Sequence, residues 1–253
     1  MTLPATIDEV LAELDRIIAV SVEKNSSIAI FAYIYRRTTA EIKKAVDKQF
    51  FEDNARMAAM DVAFANLYIQ AYHDYAAGLP VSACWKLAFD GAKKDLAILQ
   101  HIVLGMNAHI NLDLGVSASR LMVGKPLEDI KTDFMRVNDI LFTLTAEMQR
   151  SLGRTSLLLF LADWMGQRND EQLVNFSIGK ARFFSWNTAN HLWNASDAAE
   201  CTQRTTDVDK IVAQLGYSMA NPPTRGLRWV LKLIHRFESK EVKKIVAAMQ
   251  QHS

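Results

Sequence analysis

The stretch KDLAILQHIVLGMNAHINLDLG, Lys94–Gly115, decides the fold. It reads as one helix that is apolar on almost every side, and such a helix is the buried centre of a large helical domain. Yet it carries His101, Asn107, His109, Asn111 and Asp113. Burying that many polar groups costs free energy unless each finds a partner. The middle of the protein therefore holds either a structural hydrogen-bond network or a site.

The flanking sequence supports the same fold class. Half of the 253 residues are hydrophobic, with only 10 Gly and 5 Pro, so uninterrupted helices are favoured over short strands. Thr6 and Glu9 form a capping-box pattern ahead of a helical repeat over 7–23. The run SSIAIFAYIYRRTTAEIKKAV is expected to break, with Thr39 capping a second helix from Ala40 to Lys48. A long helix follows from Asn54 to Ala76, stopped by Gly78 and Pro80. A short helix surrounds Trp85 and Phe89, and Gly115 is expected just past the end of the central helix. Further helices are expected over Glu128–Arg150 and from about Asp170 to Ala195, then a short helix with a Pro-Gly loop, and two basic amphipathic helices at the end. The expectation is one all-α domain over residues 1–253, with about eight to ten helices.

Charge and motif content narrow the function classes. Lys plus Arg is 29 against 28 Asp plus Glu, a formal charge of +1. No global field would draw in nucleic acid or an anionic membrane. The basic C-terminal helices read as solvated faces. Cys84 and Cys201 are expected as two free, buried thiols. The acidic N-terminal segment is unlike a signal peptide and no apolar run is long enough to span a bilayer, so a cytoplasmic location is expected. There is no Gly-rich phosphate loop, GxSxG, HExxH or CxxC. Oligomeric state is not legible.

The candidate chemistry lies on the central helix. At about 100° per residue with His101 at 0°, His109 falls near 80° and Asp113 near 120°, while Asn107 and Asn111 fall near 240° and 280°. His109 and Asp113 are an i,i+4 pair, able to hold one metal ion or to bind each other. The bland alternative is a hydrogen bond in which Asp113 fixes the imidazole tautomer. Gly105, between the histidines, would let a ligand or a neighbouring helix approach. Asp61, a carboxylate within an apolar helix, is a candidate ligand or general base, with Asp163 and His191 as further candidates. Arg182 would stabilise developing negative charge or neutralise an acid. Asn107, Asn111 and Trp186 are candidate pocket residues.

Four segments carry a resemblance: DVAFANLYIQAY (Asp61–Tyr72), the Trp85–Phe89 pair, LGMNAHINLDL (Leu104–Leu114) and ARFFSW (Ala181–Trp186). Together they resemble an uncharacterised, mainly bacterial family of unknown function with an LGxNAHINxDL signature. That resemblance implies a single helical domain and no particular activity. The shorter pattern Leu104-Gly105…His109…Asp113 is similar to the LGxxxHxxxD helix of zinc-dependent phospholipase C and single-strand nucleases. That similarity implies His109 and Asp113 as metal ligands, with Asp61 and His101 as further ones. The same family also uses an amino-terminal Trp and additional histidines, for which this chain offers no placed counterparts.

Two function classes follow. One is a metal-dependent hydrolase of phosphoesters, with one zinc or manganese ion lowering the pKa of a bound water. The other is a non-catalytic helical module binding a small apolar ligand or a protein partner among its aromatic side chains.

Overall fold

The computed structural model describes residues 2–138, 140–141 and 170–251, with the backbone alone for 170–179 and 251. All regular structure among these residues is helical. The expected helix to Arg150 is therefore described only as far as residue 141. Gly153, Asp163 and Trp164 lie outside the described residues.

The first helix, α1 (Ile7–Glu23), starts where the capping pattern places it. Thr6 Oγ1 accepts from Glu9 N at 3.2 Å, and Ala5 N donates to the Glu9 carboxylate at 2.7 Å. Its buried stripe is Ile7, Val10, Leu14 and Ile17. Asn25 turns the chain at φ 49° and accepts Val242 N at 2.8 Å, tying this corner to the last helix.

Helix α2 (Ile28–Asp47) runs straight through the point where a break was expected. Thr39 is fully buried inside it and caps nothing. Neighbouring Thr38 instead turns its hydroxyl back onto Ile34 O at 3.1 Å, which lets a hydroxyl sit in a helix interior. Helix α3 (Asn54–Ala76) has the expected bounds, with Gly78 at φ +73° after it. Its start is fixed from a distance: buried Asp133 accepts Glu52 N at 2.7 Å and Asp53 N at 3.0 Å.

Helix α4 (Ala83–Gly91) is capped by Ser82 and by Asp209, which accepts Ala83 N at 2.6 Å and Cys84 N at 2.9 Å. The two cysteines, expected as buried thiols, are both free, but only Cys84 is buried and Cys201 is half-buried. The central element comes next, as α5 (Ile98–Ala108), a π turn (His109–Asp113) and α6 (Leu114–Leu121) without interruption. All of α5 except Ile98 and Met106 is buried. That is the all-round burial its sequence requires. The expected end at Gly115 is corrected: a Cβ there would sit 2.6 Å from Thr188 Cγ2. This glycine lets another helix cross closely, and the central element continues past it.

After a 3-10 turn (Leu127–Ile130) and helical residues 131–138, the chain re-enters as α7 (Asp170–Trp193), which packs on α6. Helix α8 (Ala198–Ala220) is one long helix capped by Asp197, where a short one was expected. It packs on α4 and α5. Gln100 binds its last carbonyls, those of Met219 and Ala220, at 3.1 and 3.0 Å. Helices α9 (Arg225–Phe237) and α10 (Val242–Gln251) close the described chain. No described helix is long and apolar enough to cross a membrane.

Candidate functional site

The π turn coincides with the polar stripe that the sequence singles out. Leu114 N bonds to His109 O, one residue further than in an α-helix. Such single π turns inside α-helices are rare and concentrate at functional sites. Within the turn, His109 Nδ1 lies 3.0 Å from Asp113 Oδ2, and both groups are buried. The same oxygen accepts Trp85 Nε1 from α4 at 2.9 Å. An indole N–H can only donate. Oδ2 therefore accepts from Trp85, and one proton lies between it and His109 Nδ1. Burial pushes the Asp113 carboxyl well up, partly offset by the Trp85 hydrogen bond, and pushes His109 well down.

The imidazole is enclosed by rings. Phe64 stacks on it with centroids 3.6 Å apart and planes 10° apart, and Tyr35 meets it edge-on at 4.2 Å. Phe31, Tyr68 and Trp85 stand within 6.0 Å of it, centroid to centroid. Around this packing, several buried polar atoms have no hydrogen-bond partner among the described residues. They include His109 Nε2, the Tyr35 and Tyr68 hydroxyls and both carboxylate oxygens of Asp61. Burial pushes the Asp61 carboxyl up to about 7, so it keeps its proton through most of the acid range. The sequence reading marks Asp61 and His109 as candidates but gives no site role to Tyr35, Tyr68 or Trp85. The missed signal is that buried Tyr and Trp bring an O–H or N–H needing a partner.

Among the described residues the proposed metal donors are not all brought together. Eight helical residues separate His101 from His109, about 12 Å along the axis, so the two imidazoles cannot share one centre. Asp113 already serves Trp85 and His109 with the same oxygen. Among the described residues no three His, Cys, Asp or Glu side chains stand together to hold a metal. The His109–Asp113 pair therefore has no third donor there, for zinc or for manganese.

The remaining candidates separate. Asn107 Nδ2 donates to Val212 O in α8 at 2.8 Å, and Asn111 Nδ2 donates to Asn107 Oδ1 at 3.0 Å. Gly216 makes room for this tie, since a Cβ there would lie 3.0 Å from Asn107 Nδ2. Arg182 is buried with its guanidinium 4.4 Å over the Phe134 ring and donates to Phe134 O. Burial pushes its pKa down to about 9. Trp186 meets Phe134 edge-on, with Lys131 Nζ 5.5 Å from its own ring centre. Arg182 and Trp186 thus share Phe134, while Asn107 and Asn111 join the central element to α8. His191 is exposed at the end of α7.

His101 has its own setting. With Gly105 it lines a cleft between α2, α4 and α5, walled by Phe31, Tyr68, Trp85 and Phe89. Its free interior is only about 20 Å³, room for about one water molecule. Gly105 turns out to accommodate a neighbouring helix: a Cβ there would lie 2.3 Å from Phe31 Cγ. Burial, with help from His235, pushes the His101 pKa down to about 4.

A model of the DUF5995 family, described as a family of unknown function, matches residues 7–222. The chain belongs to that family. Among curated proteins and solved structures nothing matches. The DUF5995 match takes in every candidate above, from the rings of α2 to Asn107's partner in α8. It ends before α9.

Proposed function

We propose that this chain is a non-catalytic helical module that binds a small, uncharged, largely apolar ligand at the cleft between α2, α4 and α5, whose walls must part to admit it because the free interior is only about 20 Å³. One observation carries the reading. The cleft is walled by four aromatic rings, and its one ionisable imidazole, His101, is held neutral near pH 7. Ligand sites pair an apolar lining with a few placed polar groups. None of the lining residues carries charge, so nothing there offsets a carboxylate or a phosphate. A flat apolar body with one hydrogen-bonding group suits this lining, and His101 is the side chain that would meet that group.

The metal-dependent hydrolase ranks behind this reading, because the donor set around His109 and Asp113 lacks a third member among the described residues. The enclosure of His109 by Phe64 and Tyr35 also favours a packed pair over a reacting one.

Isothermal titration with indole and with indole-3-acetate tests the proposal. The expected result is saturable binding of one indole per chain, much weaker binding of the acetate, and loss of both in Ala88→Leu, which fills the cleft wall. Equal or tighter binding of the anion, or indole binding unchanged in Ala88→Leu, would overturn it.

A further inference from the structure

Helix α9 is amphipathic in an unusual way, because the domain uses only part of its apolar arc. Leu227 and Leu231 are buried against Leu99, Val103 and Met219. On the outside, Trp229 is 65% exposed, Leu233 41% and Phe237 82%. These three are spaced i, i+4, i+8 and line up within an arc of about 80°. Half-buried Val230 and Ile234 bridge this ridge to the buried side. The opposite arc carries Arg225, Arg228, Lys232 and Arg236, all exposed. No acidic residue occurs between Arg225 and Phe237. None of the four cations pairs with a carboxylate among the described residues. His235, on the inner edge of the basic arc, is the exception, held by Asp95 and Glu238.

We propose that α9 is a docking helix for an anionic lipid surface. A helix with one continuous apolar arc and one continuous basic arc lies in the plane of a bilayer interface, apolar side down. Trp229 and Phe237 are residues that favour that depth. The unpaired Arg and Lys side chains complement the negative surface potential of phosphatidylserine-type lipids. The rest of the chain supplies no such field, since the total charge is only +1. The ridge favours lipid over single-stranded nucleic acid because Leu233 stands at its centre. An aliphatic side chain adds burial in acyl chains but gives no face for base stacking. The helix also lies beyond the stretch matched by the family.

The test is co-sedimentation of the full chain with vesicles of phosphatidylcholine alone, and of phosphatidylcholine with about one-third phosphatidylserine. Single-stranded RNA binding and sedimentation velocity run in parallel. The expected result is binding to the anionic vesicles and little to the neutral ones. Trp229→Ala/Phe237→Ala should lose it. Lys232→Gln/Arg236→Gln should weaken it by on the order of tenfold. All four side chains are exposed, and unchanged circular dichroism would confirm that the variants fold. Three outcomes would overturn the proposal: no binding to anionic vesicles, binding indifferent to both double variants, or RNA binding without vesicle binding. A dimer that Trp229→Ala/Phe237→Ala dissolves would also overturn it, by giving the ridge a second copy as its occupant.

Discussion

Trp85 and Asp113, on two different helices, meet through one hydrogen bond: the indole Nε1 donates to Oδ2 at 2.9 Å. That oxygen is also hydrogen-bonded to His109 Nδ1 at 3.0 Å. Trp85 is at once a wall of the cleft and the outer donor to the π turn. Removing its N–H in Trp85→Phe leaves the buried carboxyl with His109 alone. The expected cost is about 1–3 kcal/mol of stability, the range for leaving a buried polar group short of a partner. Urea unfolding checks it, and a loss below half a kcal/mol would contradict the assigned donor role.

Asp61 gives a pH signature. Its folded pKa is about 7 against 3.8 for the free side chain. Between those values the unfolded chain has released the proton and the native chain has kept it. Stability therefore falls as pH rises through this window and levels off above it. The contribution is of the order of 4 kcal/mol as an upper figure. His101 and His109 act in the opposite sense. Their depressed pKa values give stability that is lost as pH falls below the usual imidazole range. The comparison is therefore Asp61→Asn against the parent. The variant should gain on the parent between about pH 4 and about pH 7 in urea midpoint; parallel curves would contradict the burial.

Asn107 and Gly216 should be energetically coupled. The amide reaches Val212 O through space that Gly216 leaves open. A Cβ at 216 would also lie 2.9 Å from Leu87 Cδ2. Each single change to Ala should destabilise, and the double change should cost less than their sum by at least about 0.5 kcal/mol. Strict additivity in a double-mutant cycle would show that the two residues do not share that space.

Gly105→Ala should cost about 1–3 kcal/mol by overpacking. The new methyl would collide with Phe31, which α2 holds against the central helix and which also walls the cleft. Thermal unfolding checks the direction: a stabilised variant, as expected for Gly to Ala in an open helix, would contradict the close approach.

The parts of the fold legible in the sequence are those governed by local chemistry. The Thr6–Glu9 cap, the bounds of α3 and the left-handed Gly78 follow from residues within one turn of each boundary. What escaped depends on distant partners. Thr39 looks like a cap, but its own side chain is fully buried and α2 runs on through it. Gly115 looks like a helix end, but Thr188 from α7 occupies its open side. The π turn has no local signature, so a uniform wheel misplaces everything after His109. The polar stripe was legible as buried polarity. Its division was not, because Asn107's acceptor is in α8, Asp113's second donor is in α4, and Arg182 sits over Phe134.

The central claim is that the cleft beside Trp85 takes a small neutral aromatic guest. The most direct measurement is the Trp85 indole N–H resonance, assigned by its absence in Trp85→Phe and followed by NMR as indole is added. The account predicts a saturable shift of that resonance, with the Trp229 indole resonance on α9 unmoved. A Trp85 resonance that stays in place at saturating indole, or that moves no more than Trp229, would contradict it.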